Sequence, residues 1–357
     1  MISVIKKNWY QSVNWFTHKY ADWNNGLESG SKWLRWLLLA IVVYALITLT
    51  LGIYWNWKPG EFSVNTIAIE KAQDTNRQVV TGSVTTSTLI HMADTLLEKP
   101  GGFISNDIMP PGIWLDNMSN WEYGVIIQIR DISKAMREAF SRSQSQSTED
   151  KDLSRVEPRF NFDHVSWALP ASETQYKEAI VFLSSYHDRL LNKGISNAQF
   201  YARADNLNYW LRTVETRLGS LSQRLSASVG QRRINTDLAG DAAATQSTPA
   251  PQEIETKTPW LQLDDTFYEA RGTTWALVHL LKAIEIDFAE ILQRKNALIS
   301  VRQIIRELET SQETVYSPMV LNGRGFGLVA NHSLVMASYI SRANAGIIDL
   351  RELLSRG

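Results

Sequence analysis

The chain has 357 residues, 44% of them hydrophobic and 20% charged, with a formal net charge of −1 and no cysteine. That length allows one large domain or two ordinary ones, and the composition excludes a disordered chain. A near-neutral chain without a basic, aromatic-interleaved face argues against a nucleic-acid partner. The absence of cysteine excludes disulfides, thiolate catalysis and Cys-ligated metal centres.

Seven of the thirteen tryptophans lie in the first 57 residues. Residues 1–35 place Ile2, Ile5, Trp9, Val13, Phe16 and Tyr20 at spacings of three or four, with Lys6, Lys7 and Lys19 off that stripe. The pattern predicts an amphipathic cytoplasmic segment, lying in the membrane interface or docking a partner. From Trp36 to Trp57, "WLLLAIVVYALITLTLGIYWNW", 22 residues carry no charge. About 20 apolar residues in a helix span a bilayer, and Trp33, Trp36, Tyr54, Trp55 and Trp57 mark its two boundaries. Residues 1–35 hold five basic residues against two acidic ones, a net of +3, whereas the far side has Lys58 soon followed by Glu61. This asymmetry predicts a signal anchor with a cytoplasmic N-terminus and residues 58–357 in the periplasm, the inner membrane being the first partner.

Beyond the anchor, "FSVNTIAI" and "RQVVTGSV" admit short strands, although neither alternates cleanly. A helix is predicted over Thr86–Glu98, stopped by "KPGG", followed by the long loop "GGFISNDIMPPGIWLDNMSN". Residues 121–141 read as helical, with "YGVIIQI" also compatible with a buried strand, and "SRSQSQSTED" as a surface loop. Phe200, Ala204, Leu207, Leu211, Val214, Leu218, Leu221 and Leu225 form a heptad-patterned seam. Phe267, Ala270, Thr274, Leu277, Leu281, Ile284, Phe288 and Ile291 form a second. Residues 231–259 between them lack any hydrophobic period and are expected to be a disordered linker. The two seams predict either antiparallel pairing in one bundle or a coiled-coil homo-oligomer. Further helices are predicted over Asn296–Glu309 and Leu328–Leu354. The last carries Ser333, Ala337, Ser341 and Ala345 at four-residue spacing, a small-residue row suited to helix packing. The expected fold is therefore mostly α, a single transmembrane helix followed by a helical bundle.

The search for chemistry returns no catalytic motif. There is no H-E-x-x-H, no E-x-x-H and no G-x-S-x-G, so no catalytic residue, cofactor or metal is expected. His279 and Asp287, with Glu285 and Glu290, read as a solvated charged helix face. Asn106, Asp107, Asp116 and Asn117 lie in a Gly/Pro-rich loop that suits either turns or ligand recognition. Arg203 and Asp205 open the first heptad helix and complete a candidate polar set with Arg324, Asn331 and His332. The stretch "VLNGRGFGLVANHS" contains Gly325, Gly327 and Ala330 as G-x-G-x-x-A, yet it lacks the strand and second strand that a dinucleotide fold requires. Arg324 at a helix N-terminus leaves anion capture open; the other reading is a turn into the last helix.

The stretches "LLEKPGGFISNDIMPPGIWLDNM", "FYARADNL", "RLGSLSQRLSASVG" and "NGRGFGLVANHSLVMASYISRANAGIIDLRELL" resemble the bacterial family known as domain of unknown function 2333. The resemblance implies a Gram-negative, inner-membrane-anchored protein and transfers no catalytic residues. The expectation is a non-catalytic scaffold or interaction protein of the cell envelope, with an envelope protein or a second copy as partner. The alternative is an envelope enzyme or small-ligand-binding protein using the polar loops near 106–117 and 324–332.

Overall fold

From Lys32 to Trp55 the chain forms one 24-residue helix, α1. At 1.5 Å per residue it is about 36 Å long, beyond the ~30 Å of a bilayer's hydrocarbon core. By length and composition it is apolar enough to cross a membrane, and only 6% of its most apolar window is buried. Its threonine hydroxyls are satisfied within the helix, Thr48 donating to the Tyr44 carbonyl at 3.0 Å and Thr50 to that of Leu46 at 2.8 Å. This self-satisfaction is what a lipid environment demands of a polar group.

The computed structural model describes residues 32–74, 77–143, 148–192, 197–234, 253–317, 319–324 and 327–356. The expected amphipathic segment before Lys32 lies outside them. The chain divides into two compact units, Met1–Tyr54 and Trp55–Gly357. In the second unit the described helices are α2 (Val64–Asp74), α3 (Ser83–Glu98), α4 (Asp116–Ala135), α5 (Leu153–Phe160), α6 (Ser172–Leu191) and α7 (Ala204–Ser226). They are followed by α8 (Leu263–Asp287), α9 (Ala289–Arg294), α10 (Leu298–Thr310) and α11 (His332–Ser355). A two-stranded antiparallel ladder, β1 (Gln231–Ile234) with β2 (Glu253–Thr256), pairs Gln231 with Thr256 and Ile234 with Glu253.

Helix α8 is the axis of the bundle. Every residue from Ala270 to Leu281 is buried, a helix enclosed on all sides rather than one with a single apolar stripe. Its principal neighbours are α4, α3 and α10. It crosses α4 at unusually close range through two glycines. A Cβ on Gly124 would lie 2.2 Å from the Glu269 carbonyl oxygen, and one on Gly272 would lie 1.9 Å from that of Trp121. The two helices run parallel, from Asn120 beside Asp265 to Phe140 against Phe288.

Several expectations are corrected here. The segment "FSVNTIAI" contributes to helix α2, because burial of Val64 and Ala68 against Val84 and Ala283 outweighs β-branched propensity. The first heptad series is buried from Leu207 to Leu225, but its chief partner is α11; the second lies on the enclosed α8, whose chief partner is α4 although Thr274 meets Gln312 and Phe267 lies near His332. Both seams are consumed within the chain. The margins of the expected linker at 231–259 form the β1–β2 ladder, with a short 3-10 turn at Trp260–Gln262 directly after it, while 235–252 lies outside the described residues.

The small-residue row also separates. Ser333 and Ala337 are buried, whereas Ser341 and Ala345 are exposed. Four residues advance a helix by about 400°, so each step drifts about 40° off the face. The packed stripe instead continues through Ile340, Ala343, Ile347 and Leu350.

Candidate functional site

Polar side chains inside this core follow from where its helices begin and end. Helix α3 starts after Gly82, whose left-handed φ of 88° leaves room for the Phe200 ring that a Cβ would strike. Its free amides are met by Asp287, the last residue of α8. Gly82 N and Thr85 N donate to this carboxylate at 2.8 and 2.7 Å, and the Thr85 hydroxyl donates at 2.7 Å. Burial pushes Asp287 up to about 6 against the pull of those donors. The loop after α3 is fixed in the same manner. Lys99 and Glu122 form an ion pair at 2.5 Å with both side chains excluded from solvent. The amides of Ile104 and Ser105 also donate to Glu122, at 2.9 and 2.8 Å. Burial pushes the Glu122 carboxyl up, while Lys99 and Ser105 act in the opposite direction.

The segment that enters this unit lies along α8. Lys58 Nζ donates to the Gln312 carbonyl at 3.3 Å, and the Trp275 indole N–H donates to Gly60 O at 3.0 Å. The amide of Phe62 donates to His279 Nε2 at 3.0 Å, and the two rings stack 3.9 Å apart at 9°. His279 Nδ1–H therefore donates to the Trp275 carbonyl, 2.7 Å away, which fixes the tautomer. Burial lowers the His279 pKa to about 4. The expected solvated face at His279 and Asp287 is thus corrected: both are buried and structural.

One pocket of about 380 Å³ opens between the start of α8, the end of α10 and the start of α11. Phe267, Arg271, Ser311, Tyr316, His332 and Tyr339 are among its walls. Arg271 is buried, and its guanidinium donates to two backbone carbonyls, Glu313 O at 2.9 Å and Gln312 O at 3.0 Å. Burial lowers its pKa from the ordinary value. Lys58 shares the Gln312 carbonyl and is pushed down to about 8 by burial and by Arg271. Arg271 thus stands in the wall of a pocket with aromatic sides, while Lys58 meets it on the Gln312 carbonyl behind that wall. Such a site is suited to an anionic group on an apolar body.

The residues singled out from the sequence do not converge there. His332 alone lines the pocket, with Nδ1 accepting the Leu321 amide at 2.9 Å. Asn331 caps α11, accepting from Leu334 N at 2.8 Å and donating to Gly323 O at 2.5 Å. Arg324 is exposed and Gly325 lies outside the described residues. Asn106 ties two loops together, donating to Ser166 O at 2.9 Å and to Glu173 at 2.8 Å. Burial, then Glu173, push the neighbouring Asp107 up. Asp116 and Asn117 open α4, where Asp116 Oδ1 receives the Asn117 amide. Arg203 pairs with Asp205 at 3.5 Å at the start of α7. Helices α7 and α11 are antiparallel, Ser222 touching Ala337 and Arg351 touching Asn208. Arg203 and Asn331 therefore lie at opposite ends of that pair, so the candidate polar set is not gathered in one place. Arg271 was missed, although a charge inside the apolar run "FYEARGTTWALVHLL" is the signal that marks it.

Among the described residues no three His, Asp or Glu are grouped to hold a metal ion. No curated protein and no solved structure matches the chain. One family model does, over residues 27–357, nearly the whole sequence. The protein belongs to the family described as "Uncharacterized protein conserved in bacteria (DUF2333)".

Proposed function

We propose that this is a single-pass inner-membrane protein whose helical body lies in the periplasm and acts as a scaffold or interaction module of the cell envelope. The observation that carries this reading is α1, an apolar helix of membrane-spanning length that buries almost nothing. The +3 charge of residues 1–35 supports a cytoplasmic N-terminus. The polar residues selected from the sequence supply further support, because most act as helix caps and loop ties. Photo-crosslinkers at exposed positions of α6 and α7 in intact cells test it. Reproducible capture of one envelope protein, lost when the body is unfolded by a core substitution, is expected. Recovery of no specific envelope protein contradicts the scaffold reading.

A second reading, a small-ligand-binding protein, is favoured by one observation: the buried Arg271 lines the pocket with its terminal nitrogens on backbone carbonyls and, among the described residues, no carboxylate paired with it. Benzoate is a suitable probe, an anion on an aromatic body. On this reading benzoate raises the melting temperature of the detergent-solubilised full chain, and Arg271→Met abolishes the rise. An equal rise in both proteins rejects the site.

A further inference from the structure

We infer that the end of the bundle where the chain enters is a lipid-seating face that rests in the headgroup layer of the bilayer. This inference depends on the reading of α1 as a membrane anchor.

Contacts within the second unit locate that end. Helices α4 and α8 are parallel, so Asp116 and Leu263 begin side by side, as the Asn120–Asp265 hydrogen bond of 2.8 Å records. His332, the first residue of α11, lies 6.4 Å ring to ring from Phe267. The entering chain rises along α8 from the same end. It meets the level of Arg271 at Lys58, Trp275 at Gly60 and His279 at Phe62. Gly101, in the loop that leads to α4, packs on Trp55. The starts of α4, α8 and α11 therefore form the base of the unit, a few residues of chain from the end of α1.

Exposed apolar side chains collect on this base. Beyond Trp57 the chain has six tryptophans. Trp121, Trp210 and Trp275 are buried, whereas Trp114, Trp167 and Trp260 are each more than 60% exposed. Trp114 stands two residues before α4 and Trp260 three before α8, with Leu261 exposed beside it. Trp167 belongs to the loop that Asn106 ties to the α4 approach through Ser166. The same loop presents Leu169, 99% exposed, at a φ of 54° that L side chains disfavour. Hydrogen bonds from Ser172 N to Ser166 O and from the Ser166 hydroxyl to Pro170 O close the loop around it and leave the side chain uncovered.

Lipid is the occupant that this chemistry fits. Tryptophan favours the headgroup boundary, where one ring edge is wet and the other apolar. The base is tied to the membrane by the anchor itself, so the bilayer is present at high effective concentration without any other component. Asp116, Asp264 and Asp265 occupy the first turns of α4 and α8, where helix dipoles favour carboxylates. Seating on the bilayer therefore requires no anionic lipid.

The chain has no cysteine, so single labels are clean. Full-length protein in phosphatidylcholine vesicles would carry an environment-sensitive fluorophore at Trp114→Cys, Trp167→Cys or Leu261→Cys. Ile299→Cys, beside the opposite end of α8, is the aqueous control, and Val42→Cys near the middle of α1, read with lipids spin-labelled deep on the acyl chain, reports the anchor. Lipids spin-labelled near the headgroup are expected to quench the three base sites at least twofold more than Ile299→Cys, with iodide showing the reverse order. Base sites that match Ile299→Cys, while Val42→Cys is quenched by lipid, overturn the inference and leave the anchor standing. Base sites shielded from both quenchers assign the face to protein contact and also overturn it. Failure of lipid to quench Val42→Cys removes the anchor reading, and this inference with it.

Discussion

The Phe62 amide donates to His279 Nε2 at 3.0 Å across 217 residues of sequence, and the stacked rings close the contact. The hydrogen bond requires a neutral imidazole, because a protonated ring offers no acceptor. Burial lowers the pKa of His279 to about 4, and that of His187 likewise. The unfolded chain binds these protons near pH 6.5, so stability is full above that pH and is lost as pH falls from about 6.5 towards 4. Each histidine contributes up to about 3 kcal/mol to the change. Asp287, raised to about 6, has the opposite sign: it favours the folded state below about pH 4 and loses that contribution as pH rises through 6. The net expectation is a loss of stability on acidification from pH 7 to 4.5, smaller than the histidine sum. Urea denaturation of wild type and His279→Gln across that range measures it; a variant with an undiminished slope contradicts the assignment to His279.

Gly124 and Gly272 make a second, sharper case. Either Cβ would lie about 2 Å from a backbone oxygen of the facing helix, which no rotamer change relieves. Gly124→Ala and Gly272→Ala are each expected to cost roughly 3 kcal/mol, with a double variant costing less than the sum because one helix separation relieves both. Chemical denaturation reads both numbers. A cost below about 1 kcal/mol would mean that the helices separate easily.

Lys99 and Glu122 predict a different signature. Removing one partner leaves a buried charge, so Glu122→Gln or Lys99→Met is expected to cost about 3–5 kcal/mol. The amides of Ile104 and Ser105 lose a charged acceptor in the glutamine variant, which loosens the 99–105 loop. Limited proteolysis is expected to cut there first. Unchanged cleavage sites would assign the loop's order to packing alone.

How much of this was legible in the sequence depends on the range over which each signal acts. The apolar helix α1 was readable because an uncharged run of 22 residues is a local property that tertiary context does not alter. The face of α7 was readable for the same reason. Helix α8 was misread as a seam because a helix enclosed on all sides buries Thr273, Thr274, His279 and Arg271 along with its leucines. Its polar residues then look like a solvent face until their partners are known, and those partners are remote: Asp287 caps a helix entrance at Gly82, 205 residues earlier. Conversely, Asn106 and Asn331 admitted two readings, because turn-building and recognition draw on the same residue types. In the fold Asn106 donates to Ser166 O and Asn331 accepts from Leu334 N, contacts that no local pattern displays.

Orientation is the claim on which the envelope reading depends most directly. Single substitutions Ser12→Cys and Ile299→Cys in the full chain, treated with a membrane-impermeant maleimide in cells with a permeabilised outer membrane, measure it. With the N-terminus in the cytoplasm, Ile299→Cys is labelled in intact spheroplasts, and Ser12→Cys only after the inner membrane is opened. Labelling in the reverse order would contradict this orientation.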